Sequence, residues 1–305
     1  MAHSRFIKDR GLTARMTLVM FLLGALFVAL IVALMIVFRG SGFAVLIGIA
    51  GIGFAIYQWY SSDKVAMRAM RAREVSPQQA PELHGMIDRL CALADMPKPR
   101  VGIADTHVPN AFATGRSPDR AVVCVTTGIL QTLTAEELEG VLAHELSHVA
   151  HRDVLVMTVA SSAGIAAGML TQGAQYGAFF GGGRRDNNGG LPIWLVVLIV
   201  SLIVYAVSFV LLKLLSRYRE MSADRAGAYL TMKPQALASA LQKITGEINA
   251  IPERDLRQVS AASALCIAPA IKGVSLRTLT STHPPLEQRL AQLARIQAEL
   301  GRPTT

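Results

Sequence analysis

Four long stretches without a charged residue constrain this chain more than any other feature. Thr17–Phe38 and Gly40–Ser62 are separated by Arg39 alone, and Val154–Gly183 and Gly189–Leu212 repeat the pattern in the second half. About 20 apolar residues are needed to cross a bilayer as a helix, and inside hydrocarbon every backbone polar group must be satisfied within the segment. The expectation is four membrane helices in two hairpins. The third run is thinned by Gly, Ser, Thr and Gln. Its small residues (Ser161, Ser162, Gly164, Ala167, Gly168) suit close helix packing, or a half-buried helix that stops short of crossing. Composition agrees: 52% of residues are hydrophobic, 17% are charged and mean hydropathy is +0.40, against about a quarter charged in an ordinary soluble domain. Collagen-like, disordered and disulfide-stapled classes are excluded, and the composition points to a membrane protein with a modest soluble part rather than a wholly soluble chain.

Thirty Lys+Arg against 21 Asp+Glu give a formal charge of +9. In a soluble protein that excess would suggest nucleic acid. Here it flanks the apolar runs and reads as membrane topology, with no nucleic-acid partner. Arg5, Lys8, Arg10 and Arg15 precede the first run, and Lys64, Arg68, Arg71 and Arg73 follow the second. Arg152 precedes the third, and Lys213, Arg217 and Arg219 follow the fourth; Arg184 and Arg185 in the intervening loop weaken the asymmetry without reversing it. Both termini and the middle segment are expected in the cytoplasm. The first run is too long for a signal-peptide core and reads as an uncleaved anchor. Cys91, Cys124 and Cys266 are odd in number and lack a CxxC pair, which fits small core residues facing a reducing compartment.

The organisation expected is interleaved. Residues 1–62 hold the N-terminal tail and first hairpin, and 63–153 the first part of a cytoplasmic domain. Residues 154–212 hold the second hairpin, and 213–305 the rest of that domain. Its fold class is α+β, mainly α. Pro81–Met96, Pro234–Ile248 and Pro285–Leu300 have helical spacing. Val101–Ala104, Ala111–Thr114 and Ala121–Thr126, divided by turn residues, predict a small antiparallel sheet. Thr134 and Glu137 form a capping box that starts a further helix. Gly181–Gly190 reads as a flexible turn between spans.

That capped helix carries His144-Glu145-Leu146-Ser147-His148. Residues four apart share a helix face, so both imidazoles can reach one ion. Glu145, on the flank of the pair, suits a base acting on water better than a third ligand. The bland alternative is a cytosolic helix with surface histidines. A catalytic zinc site takes three protein ligands, and downstream Glu220 and Asp224 lie four apart on one face. Glu220 can ligate, and Asp224 can accept the free N–H of a ligating histidine. By spacing alone they could equally be a solvated acidic pair.

Topology separates these readings. The third run starts six residues after His148, and Lys213, at the end of the fourth, lies seven residues before Glu220, about 9 and 10 Å of helix rise. A hairpin between them returns the chain to the same height, so His144, His148 and Glu220 are expected to meet just above the cytoplasmic membrane surface. His151, about 10.5 Å along the axis from His144, is too far for the same ion and reads as an interfacial polar residue. His84 and His107 read as surface histidines, and His3 belongs to the basic tail. His283, followed by Pro284 and Pro285, is biased toward extended backbone at a helix start. It could donate to a developing oxyanion or serve as a structural histidine. Asn110, Ala111, Phe112 and Ala113 open a segment that is either an edge strand for an extended peptide or an ordinary hairpin strand.

Taken in order, two N-terminal spans, Asn110–Gly115 (NAFATG), His144–Asp153 (HELSHVAHRD), two further apolar runs, Arg219–Asp224 (REMSAD) and Ser281–Leu290 (STHPPLEQRL) resemble the HtpX family of membrane-bound zinc endopeptidases across nearly the whole chain. Met221 stands where that pattern has an aromatic residue. The resemblance implies a zincin-like domain with one Zn2+ per chain held by His144, His148 and Glu220. It implies Glu145 as general base, Asp224 behind a ligand, His283 stabilising the transition state, and Asn110–Gly115 lining the substrate cleft. It further implies cleavage of misfolded or surplus proteins in the inner membrane of a bacterium, with the lipid bilayer and unfolded membrane proteins as partners; oligomeric state is left open. Three rivals stand beside it. They are a prenyl-protein-type processing endopeptidase, a non-catalytic zinc-binding scaffold with no use for Glu145, and a transporter. The last would place ionisable groups inside its spans, and all four runs lack them.

Overall fold

The computed structural model describes residues 9–37, 43–115, 117–153, 168, 170–171, 193–250 and 284–301. Helix α1 (Arg10–Val37) and helix α2 (Phe43–Ala69) carry the first two apolar runs. Then follow β1 (Ala72–Glu74), α3 (Pro81–Ala94), β2 (Arg100–Ala104), β3 (Ala111–Thr114), a 3-10 turn at Pro118–Arg120, β4 (Val122–Thr126) and α4 (Thr127–Thr132). Helices α5 (Ala135–His151), α6 (Ile193–Thr231), α7 (Pro234–Ala250) and α8 (Leu286–Leu300) complete the described chain. Val154–Gly183, apart from Gly168, Leu170 and Thr171, lies outside the described residues, as do the Gly181–Gly190 turn, His3, Cys266 and His283. Among the described residues two helices are long and apolar enough to cross a membrane, within Arg10–Ile36 and Trp194–Thr231, rather than the four expected.

Two compact units are formed. One draws on Met1–Thr13, Ser61–Leu155 and Ser216–Thr305, the other on Ala14–Tyr60 and Val156–Leu215. In the second, Leu30 and Leu34 of α1 pack with Val204 of α6, while Phe21, Ile36 and Ile203 stay more than half exposed. Apolar side chains of that size facing outward suit lipid rather than water.

In the first unit the sheet runs β1-β2-β4-β3. It is mixed, not antiparallel as expected: β1 with β2 and β3 with β4 are antiparallel, whereas β2 and β4 are parallel. The reason is the order. β4 inserts between β2 and β3 instead of continuing a meander, and a strand's own pattern does not reveal its neighbours. Both faces are covered. Val123 and Val125 join Leu142, Leu146, Leu241 and Leu293 in the main core, while Phe112 and Cys124 face Ala66 and Met70 from the end of α2. This explains why β4 reads as a continuous apolar run rather than an alternation. His84, expected at the surface, is buried with ring Nε2 3.0 Å from the Val75 carbonyl oxygen; His107 is exposed as expected.

Candidate metal centre

The capping box fixes where α5 begins. The Thr134 N–H donates to Glu137 Oε2 at 2.8 Å, and the Glu137 N–H donates to Thr134 Oγ1 at 3.4 Å. From Gly140 to Val149 every residue of α5 is buried, so its histidines are not surface groups. α6 reaches the same place from the other side: Gly227 packs against the α5 backbone, and Asp224 and Glu220 lie one and two turns before it on the same face.

Three of these side chains converge. His144 Nε2 and His148 Nε2 are 3.2 Å apart, Glu220 Oε2 is 3.5 Å from the first, and Glu220 Oε1 is 3.6 Å from the second. All three residues are buried, and each offers a ligand atom within 4.8 Å of the others. A tetrahedral zinc with bonds of about 2.0–2.1 Å spaces its ligand atoms about 3.3 Å apart, so the group fits. Two Nε2 lone pairs this close would repel without a cation between them. Charge points the same way. Glu145, Asp153, Glu220 and Asp224 are all buried, a concentration of carboxylates that Arg219, Arg289 and a bound cation together would offset.

The groups behind the ligands are specific. His144 Nδ1 lies 2.9 Å from Asp224 Oδ1, the place the spacing of Glu220 and Asp224 anticipates. Arg289 grips Asp224 with two hydrogen bonds of 2.7 Å, Nε to Oδ2 and Nη2 to Oδ1, the bidentate geometry that suits a buried guanidinium–carboxylate pair. Behind the other histidine, His148 Nδ1 lies 2.8 Å from Asp153 Oδ2, and Arg219 Nε is 3.1 Å from the same oxygen. Burial would lower the His144 imidazole, but Asp224 and Glu220 beside it raise it to about 9. Burial pushes the Glu145 carboxyl up, partly opposed by the two histidines and by a hydrogen bond from the Ala113 backbone. Burial would also raise Asp153, yet Arg219 and His148 hold it below the usual carboxylate range.

Of the strand residues expected near a cleft, Ala113 reaches the site through that backbone contact. Asn110 is engaged with β4: its N–H donates to Thr126 Oγ1 and its carbonyl accepts from the Thr126 N–H, each at 2.9 Å. Phe112 points to the opposite face of the sheet, into the cluster with Met70 and Cys124. His151 is half-buried and outside the ligand group. Asp153, Arg219 and Arg289 were not singled out by sequence reasoning. For Arg289 a signal exists, because it interrupts the apolar stripe of Leu286, Leu293 and Ile296, and a charge in such a stripe needs a buried partner. Asp153 had none: a residue five past His148 shares no helix face with it.

The profile of peptidase family M48 matches residues 77–297. Protease HtpX homolog 1 of Streptomyces coelicolor is 52% identical over 98% of this chain and 97% of that protein. Protease HtpX homolog of Moorella thermoacetica is 50% identical over 96% of both. Protease HtpX homolog 2 of Methanosarcina mazei is 46% identical over 96% of this chain and 98% of its own length.

Proposed function

The chain belongs to peptidase family M48, and from that premise we propose that it cuts misfolded or surplus membrane proteins at the cytoplasmic face of a bacterial inner membrane. It is a membrane-associated zinc metalloprotease of the HtpX group. The observation that carries the reading is the convergence of His144 Nε2, His148 Nε2 and a Glu220 carboxylate oxygen at zinc-ligand spacing, with Glu145 beside them on α5.

Zinc held there supplies a Lewis acid that polarises the scissile carbonyl and acidifies water. The chain's own residues divide the remaining work. Glu145, whose carboxyl burial raises, takes the proton of the attacking water and delivers it to the leaving amine. Asp224 accepts the Nδ1–H of His144, leaving Nε2 for the ion. β3 is an edge strand among the described residues, and an extended substrate pairs with the backbone of Ala111–Ala113, beside Glu145, while Asn110 ties the start of the segment to β4. His283, ahead of the buried Pro284, donates to the developing oxyanion. Four spans anchor the enzyme, with residues 63–153 and 213–305 forming the cytoplasmic protease domain. The excess of Lys and Arg at the ends of the runs supports that orientation.

The test is zinc-dependent cleavage of an unfolded protein by the detergent-solubilised chain, purified with chelator, beside Glu145→Gln. Wild type should cut once zinc is restored, and the variant should not. Two inactive proteins that each hold one zinc would turn the reading into a metal-binding scaffold. Equal cleavage of soluble and membrane-tethered forms of one unfolded substrate would remove the preference for membrane proteins.

A further inference from the structure

His148 is oriented from outside the ligand set. The Asp153 carboxylate that meets its Nδ1 at 2.8 Å is fully buried, and Arg219, 3.1 Å from the same oxygen, is 12% exposed along its side chain. A continuing helix would not make this contact, because a residue five positions on lies about 140° around the axis. The chain reaches it because α5 ends at His151 and Arg152 turns left-handed, φ 59°, with its N–H capping the His148 and Val149 carbonyls. Left-handed backbone at a residue other than glycine costs roughly 1 kcal/mol or more. The turn is kept in spite of that cost, and what it delivers is Asp153.

Arg219 immediately precedes Glu220, so a single turn of α6 supplies both a metal ligand and the cation that meets Asp153. The guanidinium Nη2 lies 3.5 Å from His148 Nδ1. The shorter contact to the carboxylate decides the proton: Nδ1 carries it and donates to Asp153 Oδ2, and the Nε2 lone pair is left facing His144 and Glu220. We infer that Asp153 and Arg219 are positioning residues for His148. Asp153 fixes the tautomer and the plane of the ring, and Arg219 holds the carboxylate in place. The inference rests on the zinc reading above and extends it to a second carboxylate–arginine pair, opposite the one formed by Asp224 and Arg289.

Zinc dissociation constants of the full-length, detergent-solubilised protein, measured by competition with a chromogenic chelator, test it. Asp153→Asn should bind zinc about 10–100-fold more weakly, and the visible spectrum of the cobalt-loaded protein should shift. The metal-free variant should still unfold in one cooperative transition, at a lower temperature than wild type because Arg219 loses its carboxylate. With zinc added above the weakened constant, cleavage should return in Asp153→Asn but not in Glu145→Gln, which separates positioning from proton transfer. Arg219→Gln probes the pair from α6 and should weaken zinc less than Asp153→Asn. It also carries the test if Asp153→Asn does not fold. Zinc affinity within twofold of wild type in both variants, with an unchanged cobalt spectrum, would overturn the inference. A wild-type protein that binds no zinc would overturn the zinc reading instead.

Discussion

Gly227 on α6 packs against the backbone of α5 at His144: a Cβ on that glycine would stand 2.9 Å from the His144 nitrogen and 3.2 Å from the Ala143 carbonyl carbon. The missing side chain sets how near the two helices lie. Asp224 and Glu220, three and seven residues earlier, share the face of Gly227. The closeness at Gly227 is therefore what lets both carboxylates reach the histidines.

Gly227→Ala should weaken zinc binding and lower the melting temperature. Alanine gains about 1 kcal/mol in helix propensity. Overpacking costs about 1–3 kcal/mol, and the upper end applies because backbone atoms cannot move aside cheaply. Chelator competition and thermal unfolding report the outcome; a more stable variant with unchanged zinc affinity would mean that this approach does not set the site.

Single replacements His144→Ala, His148→Ala and Glu220→Ala should each abolish stoichiometric zinc, measured by metal analysis after gel filtration. Glu145→Gln should retain one zinc per chain and lose about 10²–10⁴-fold in turnover. Stripping zinc from wild type should lower its melting temperature, since the uncompensated carboxylates then repel. Retention of zinc by Glu220→Ala would remove that residue from the ligand set.

Arg289 is 3% exposed and its partner Asp224 is fully buried. Arg289→Met should destabilise the fold by about 3–5 kcal/mol, because it leaves a buried carboxylate without its cation. Adding Asp224→Asn should restore part of that loss. Strictly additive effects in denaturant unfolding would show that the two residues do not act as a pair.

Glu137 gives a pH dependence whose sign can be worked out. Burial would raise its carboxyl, but Lys243, the Ser239 hydroxyl and Thr134 hold it down at about 2, against an ordinary 4.5. A depressed folded value means stability that is complete above about pH 4.5 and is lost as pH falls toward 2. Urea unfolding of Glu137→Gln should show a shallower decline across that window than wild type. Parallel curves would contradict the assignment.

Cys91 and Cys124 are buried, and burial raises their thiols to about 11 and about 12. Neither should react with iodoacetamide at pH 8 in the folded protein, and both should react after unfolding in guanidinium. Peptide mapping by mass spectrometry reads the two sites separately. Native labelling of Cys124 would mean that the sheet face under α2 opens in solution.

The site was legible in the sequence where its chemistry is local. Thr134 with Glu137, His144 with His148 and Glu220 with Asp224 are relationships of three or four residues, and helical geometry converts that spacing directly into shared capping or a shared face. Apolar runs are legible for the same reason, since helix length follows residue count. The strands were also visible, but their partners were not: β4 lies between β2 and β3 because of packing on both faces, to which no single strand's pattern refers. His84 reads as a surface group in the sequence yet is buried, because its partner, the Val75 carbonyl, lies outside its helix.

The sequence by itself determined the kind of chemistry: two imidazoles on one helix turn, a base between them and carboxylates on a second helix. The tertiary structure decided how those groups are held. Asp153 reaches His148 only through the left-handed turn at Arg152, Arg219 meets it from another helix, and Arg289 closes on Asp224 across 65 residues of chain. Buried charges are stable only in pairs. The identity of each partner depends on which segments the core brings together, and no local spacing encodes that.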